Sequence, residues 1–112
     1  GPNDEFLIEK VMNSVENCVS LSKLKMEQII PILASCQIYC GNDTGFGHLA
    51  ANLNLKCLMI FVDSPTVYGL WNKNIRIVVP VGETIDSVGH NTRGKNRVDF
   101  NTVLTKTLDL IS

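Results

Sequence analysis

Asp43-Thr44-Gly45-Phe46-Gly47-His48 puts a carboxylate, a hydroxyl, two glycines and an imidazole into one short stretch. A carboxylate accepts hydrogen bonds from hydroxyls. An imidazole changes charge near neutral pH and can hold or pass a proton. Gly45 and Gly47 let the backbone come close to a ligand. If a helix begins here, its first N–H groups add donors and a partial positive charge, which suits a phosphate or diphosphate. His48, in the first turn, can donate to the same anion or to a leaving oxygen. Asp43 repels phosphate, so its expected partners are sugar hydroxyls or loop amides. Spacing alone leaves a plainer reading open, in which Asp43 caps a helix and the glycines only make its turn. The stretch is not the G-x-G-x-x-G dinucleotide fingerprint or the GxxxxGK[ST] phosphate loop, and it is not a nucleophile elbow.

Several elements must position these residues. Gln37-Ile38-Tyr39-Cys40 reads as a strand leading in. Residues 45–53 read as a helix, with Ala50 and Ala51 small enough to let it lie close on a sheet. Residues 56–62 form a near-continuous apolar run, as in a strand covered on both faces. Upstream, Leu7, Ile8, Val11, Met12 and Val15 predict an amphipathic helix over 4–16, capped by Asn3 or Asp4. Residues 17–21 read as a short strand. Residues 23–35 predict a helix capped by Ser22, kinked or broken at Pro31. Downstream, 63–66 make a turn, 68–71 a loop or short helical turn, and 75–79 a strand stopped by Pro80. Residues 81–97 read as a long loop. Asp99 caps a last helix with Phe100, Val103, Leu104, Leu108 and Ile111 on one face. This alternation predicts a Rossmann-like, three-layer α/β fold with a mostly parallel sheet. Ligands of such sheets sit outside the carboxyl ends of the strands, where both 41–48 and 63–66 fall.

The composition is that of a globular chain: 112 residues, 45% apolar, 19% charged and a net charge of −1. One domain spanning 1–112 is expected. There is no basic excess of the kind nucleic-acid binding requires. Apolar runs reach about six residues, against the ~20 that span a bilayer, and no secretory signal pattern opens the chain. A cytoplasmic location is expected, with contact at the inner membrane periphery as an extension of it. Cys18, Cys36, Cys40 and Cys57 lack CxxC spacing and are expected as buried free thiols. Cys36, Cys40 and His48 could be drawn as a metal site, but a strand points alternate side chains apart and no fourth ligand stands out. No metal and no cofactor are expected.

The order Asn42-Asp43-Thr44-Gly45, His48-Leu49-Ala50-Ala51, an apolar strand, then Ser64-Pro65-Thr66 resembles the C-terminal domain of glycosyltransferase family 9. These are the bacterial ADP-heptose lipopolysaccharide heptosyltransferases, whose motif is D-[ST]-G-x-x-H-x-x-[AS]-A followed by a strand and a G-P-T turn. Gly1-Pro2-Asn3-Asp4-Glu5 resembles the glycine-rich turn and glutamate after that domain's first strand, and Ser22-Lys23-Leu24 the loop near the adenine. The likeness covers roughly residues 1–80 and favours Gly1-Pro2 as native sequence over a tag scar. It implies the C-terminal half of a two-domain GT-B enzyme, lacking its first strand. By position it implies that Thr44, Gly45 and His48 bind the diphosphate of an ADP-sugar, the donor substrate, with Gly47 counted among the donor-binding residues. Asp43 holds the transferred sugar, Glu5 the ribose hydroxyls and Leu24 the adenine, and Thr66 lies near the same cleft. His48 and Asp43 are the implied catalytic pair. The transfer implied is metal-independent, with the acceptor, a lipopolysaccharide or other glycan, held by a second domain that also supplies the carboxylate base. The chain alone is then expected to bind donor without turnover. Asp63-Ser64 departs from the family pattern, where glycine is common before Pro-Thr, and this leaves the donor's sugar open.

Two rivals remain at this level. One is a sugar-nucleotide epimerase of GT-B fold, whose motif normally differs from D-T-G-x-x-H. The other is a small non-enzymatic α/β interaction module, which would need a clustered acidic pocket; Asp43 and Asp63 are its candidates. Arg93, Lys95 and Arg97, near His90, make a small basic cluster best read as a solvated loop. Tyr68 and Trp71 fit either a sugar-stacking wall or packing beneath a loop.

Overall fold

The computed structural model describes residues 3–89, 91 and 97–112. The chain divides into two compact units, Gly1–Leu33 and Ala34–Ser112. His90, Arg93 and Lys95 of the basic cluster lie outside the described residues, as do Gly1 and Pro2.

The first unit holds α1 (Glu5–Ser14) and most of α2 (Met26–Ala34). Neither helix buries a residue fully. The stripe predicted for α1 forms, but Leu7, Val11 and Met12 along it stay exposed, as does Val15 at its C-cap. The strand expected at 17–21 is absent; Asn17 adopts a left-handed φ of 56°. The serines explain part of this. Ser22 N–H donates to Ser20 Oγ at 3.2 Å, and the two hydroxyls meet at 2.9 Å, so local side chains take backbone bonding that a ladder would need. A turn follows, with Leu24 N–H on Leu21 C=O at 3.0 Å. The start of α2 is thereby displaced from Lys23 to Met26. There Gln28 accepts from Lys25 N–H at 2.9 Å, the backward half of a capping box. Pro31 sits inside α2 without dividing it. A proline inside a helix loses its own N–H bond and crowds the carbonyl four residues back; α2 carries this in its last turn, with only Ile32, Leu33 and Ala34 following.

The second unit is built from β1 (Ile38–Asn42), α3 (Gly45–Asn52), β2 (Lys56–Ile60), α4 (Pro65–Tyr68), β3 (Ile75–Val78) and α5 (Phe100–Ile111). The three strands are parallel in the order β1-β2-β3, with Asn42 opposite Ile60 and Ile60 opposite Val78. The central strand explains its own sequence. Leu58 packs with Val78, Leu110, Ile38, Ile60, Val98 and Val103 on the side of α5. Met59 and Cys57 face α3 and approach Gly47. Helices thus cover both faces, giving the predicted three layers, and Cys57, Leu58 and Met59 are fully buried. Each large apolar side chain so buried contributes about 1.5–3 kcal/mol.

The thiols are a second departure. Cys40, on the edge strand β1, and Cys36, before it, are exposed and Cys18 is half-buried, so only Cys57 is the buried thiol expected of all four. Desolvation raises the Cys57 pKa. β1 also runs two residues further than expected, through Gly41 and Asn42, because Asp43 N–H continues the ladder onto Ile60 C=O at 3.0 Å. The loop after β3 is pinned at its base by Val81 N–H on Arg97 C=O at 2.8 Å, and it buries Val88. Asp99 caps α5 as expected, accepting from Thr102 N–H at 2.9 Å and Thr102 Oγ1 at 2.8 Å.

Candidate functional site

Asp43 follows the last residue of β1, and His48 lies in the first turn of α3. The turn between them folds the two back on each other, so that His48 Nε2 meets Asp43 Oδ1 at 2.8 Å. Both side chains remain partly open, at 29% and 26% exposure. The other ring nitrogen is engaged as well, since Trp71 Nε1–H donates to His48 Nδ1 at 3.2 Å. Indole N–H is only a donor, so Nδ1 is the acceptor and the proton of the neutral ring sits on Nε2, facing Asp43. The two rings lie 5.8 Å apart, tilted by 34°.

Thr44 is the N-cap of α3, but its side chain makes no capping bond to the helix. It meets the Tyr39 hydroxyl instead, at 3.3 Å. The first N–H groups of a helix have no partner within it, so the turn keeps donors free for a ligand. The two glycines part ways here. A Cβ on Gly45 would enter open space, which fits backbone exposed to a ligand. A Cβ on Gly47 would come within 2.5 Å of Met59 Cε and 3.2 Å of Tyr39 Cε1. Gly47 is buried, and its small size lets α3 sit on the sheet. Tyr39 is the shared support: its hydroxyl also lies 2.7 Å from where a Cβ of Gly41 would be.

Asn42, Asp43, Ile60, Val62 and Asp63 line a cleft of about 260 Å³ at the carboxyl ends of β1 and β2. Asp63 is buried and accepts from Ser64 Oγ at 2.9 Å. Ser64 takes a left-handed φ of 30° just before Pro65 begins α4, in the place where the family pattern favours glycine. Thr66 is exposed on α4, beyond the end of that lining. Glu5, exposed at the start of α1, and Leu24, half-buried in the turn before α2, belong to the first unit. Among the described residues no three His, Cys, Asp or Glu side chains form a group able to hold a metal ion.

The structure therefore brings Asp43, Thr44, Gly45 and His48 together. It adds Tyr39, together with Asp63 and Trp71, which the sequence offered only as an acidic-pocket and a stacking candidate. Tyr39 had a sequence signal, since alternation along the strand puts it on the face of Gly41. Trp71, 23 positions from His48, had none beyond its aromaticity.

A sequence model of glycosyltransferase family 9 (heptosyltransferase) matches residues 1–95. The chain belongs to glycosyltransferase family 9. This family 9 chain is also 30% identical, over 94 residues, to lipopolysaccharide heptosyltransferase 1 of Campylobacter coli. That alignment covers 84% of the chain and 26% of the relative, so the chain spans about a quarter of that protein's length. No solved structure matches the chain. The matched span contains the whole Asp43–His48 turn, Asp63 and Trp71. No helix among the described residues is long and apolar enough to cross a membrane.

Proposed function

We propose that the chain is the donor-binding part of a glycosyltransferase that moves a heptose or related sugar from an ADP-sugar to a lipopolysaccharide or other glycan acceptor. The observation that carries this reading is the turn at the start of α3, where the Asp43–His48 pair stands beside uncapped helix N–H groups inside the family-matched span. The diphosphate lies across the N-terminus of α3, held by backbone N–H groups, Thr44 Oγ1 and the Nε2–H of His48. Gly45 gives the backbone clearance, while Gly47 supplies its N–H and lets the helix pack. Asp43 is released from His48 to accept hydrogen bonds from the transferred sugar. Thr66 lies near the donor.

In this reading the nucleoside diphosphate leaves as negative charge grows on its terminal oxygen. Preorganised helix N–H dipoles and the imidazole N–H stabilise that charge, and removing one such donor typically costs about a hundredfold or more in rate. A base acting on the acceptor hydroxyl comes from a different domain, so the 112 residues alone bind the donor and do not turn over. The protein works in the cytoplasm, at the membrane surface where a lipid-linked acceptor is reached.

Calorimetric titration of ADP, an ADP-sugar and UDP into the chain tests the reading. It predicts weak binding selective for the adenine nucleotides. No binding of any of them at millimolar concentration contradicts it, and so does glycosyl transfer to a lipid acceptor by the isolated chain.

A further inference from the structure

His48 is held from both sides, and the two partners differ in what happens to them during the reaction. Asp43 Oδ1 accepts from Nε2 at 2.8 Å. If Asp43 must turn to a sugar hydroxyl and Nε2–H to a diphosphate oxygen, this bond is given up when donor arrives. Trp71 is under no such demand. Its Nε1–H reaches Nδ1 at 3.2 Å, on the side of the imidazole away from Asp43. Its ring is half exposed and tilted by 34° to the imidazole. Trp71 follows α4 in the chain, so it fixes His48 from an element separate from the β1–α3 turn.

We infer that Trp71 is a positioning residue for His48: its indole N–H occupies Nδ1 and so keeps the ring proton on Nε2, aimed at the donor cleft, after Asp43 has let go. The chemistry is that of a second partner fixing which nitrogen of a histidine bears the proton. A neutral imidazole has one N–H. With Nδ1 unoccupied, that proton distributes between the nitrogens, and the fraction of rings able to donate to the diphosphate falls. An indole suits the task because it donates and cannot accept. A hydroxyl in its place could reverse the bond and draw the proton to Nδ1.

The role of Trp71 as a donor to substrate-contacting His48 rests on the donor-site reading, but its test does not need a ligand. In the ligand-free chain, Asp43→Ala removes the other partner that holds the proton on Nε2 and leaves Trp71 alone to set the tautomer. Long-range proton–nitrogen NMR of the His48 ring, recorded at a pH where the ring is neutral, then reports which nitrogen is protonated. The inference predicts that Asp43→Ala keeps Nδ1 at the fully unprotonated, hydrogen-bonded extreme. In Asp43→Ala/Trp71→Phe, which keeps an aromatic ring but no N–H, the Nδ1 resonance moves to the tautomer-averaged position of free histidine. Identical ring spectra in the two variants overturn the inference, as does a tautomer-averaged Nδ1 in Asp43→Ala alone. Matching amide spectra away from the site show that both variants fold. In the wild-type background Trp71→Phe weakens ADP binding roughly twofold to tenfold, the range of one net hydrogen bond. Unchanged ADP affinity overturns the link to the donor. Absence of ADP binding by the wild type overturns the donor-site reading and leaves the tautomer result standing.

Discussion

The two ends of the sheet present opposite chemistry. At the carboxyl ends of β1 and β2, a cleft of about 260 Å³ is lined by two carboxylates, with His48 bonded to one of them. Along β3 and the last turns of α5 lies a groove of about 530 Å³, where Lys56, Lys73, Arg76 and Lys106 face a single carboxylate, Asp109. Size and charge would single out the second. The bonding separates them. Lys56 Nζ lies 3.4 Å from Leu110 C=O near the end of α5, where a cation also meets the negative pole of the helix. Lys106 Nζ donates to Ile77 C=O at 3.1 Å, on the edge strand β3. These lysines satisfy backbone carbonyls that would otherwise lie open at a helix end and a sheet edge. At the smaller cleft, Asp43 is bonded to His48 and Asp63 to Ser64, and the N-terminus of α3 beside it carries no side-chain cap. What a side chain is bonded to says more about use than the volume around it.

Substitutions distinguish the two ends of the sheet. His48→Ala should weaken ADP binding by about tenfold to a hundredfold, the range for a charge-assisted hydrogen bond, with the melting temperature little changed. Lys106→Ala should leave ADP affinity within twofold, read by the same titration. A nucleotide response equal in the two variants would erase the distinction between the ends.

The two glycines of the turn should separate stability from binding. Gly47→Ala forces a methyl against Met59 and Tyr39 and should cost about 1–3 kcal/mol in chemical denaturation, as overpacking does. Gly45→Ala meets open space, so it should leave stability nearly unchanged and weaken ADP binding instead.

A smaller effect is expected at Asp99. Side-chain and backbone hydrogen bonds from Thr102 lower its pKa below the ordinary carboxylate value. A group whose folded pKa is depressed stabilises the fold above its unfolded pKa, and loses that contribution as pH falls through the folded value. Asp99→Ala should therefore lower the melting temperature by roughly a few degrees at neutral pH. The gap to wild type should close in strong acid, as thermal melts at a series of pH values would show.

How much the sequence disclosed follows from how local each feature is. The helix and strand of the motif, the buried central strand and the Asp99 cap were legible because each depends on neighbours in sequence. The apolar run around Leu58 announces a strand covered on both faces, and Asp99 with Thr102 announces a cap. Residues 17–21 misled because a strand exists only through its partner, and here serine side chains offered the backbone a local alternative. The thiols misled because burial depends on which strand lies at the edge: Cys57 is central and Cys40 is not. Asp43, Thr44 and His48 were named from type and spacing. The Trp71–His48 bond was out of reach because nothing in residue spacing brings a loop after α4 onto the first turn of α3. The packing role of Gly47 was hidden because sequence does not say which side of a helix faces Met59.

If donor nucleotide binds at the carboxyl ends of β1 and β2, residue-resolved amide shifts during an ADP titration will locate it there. Binding at that end predicts concentration-dependent shifts concentrated in residues 43–48, while the amides of Lys56, Arg76 and Lys106 stay in place. Shifts centred on the basic groove, or none at either end of the sheet at millimolar ADP, would contradict it.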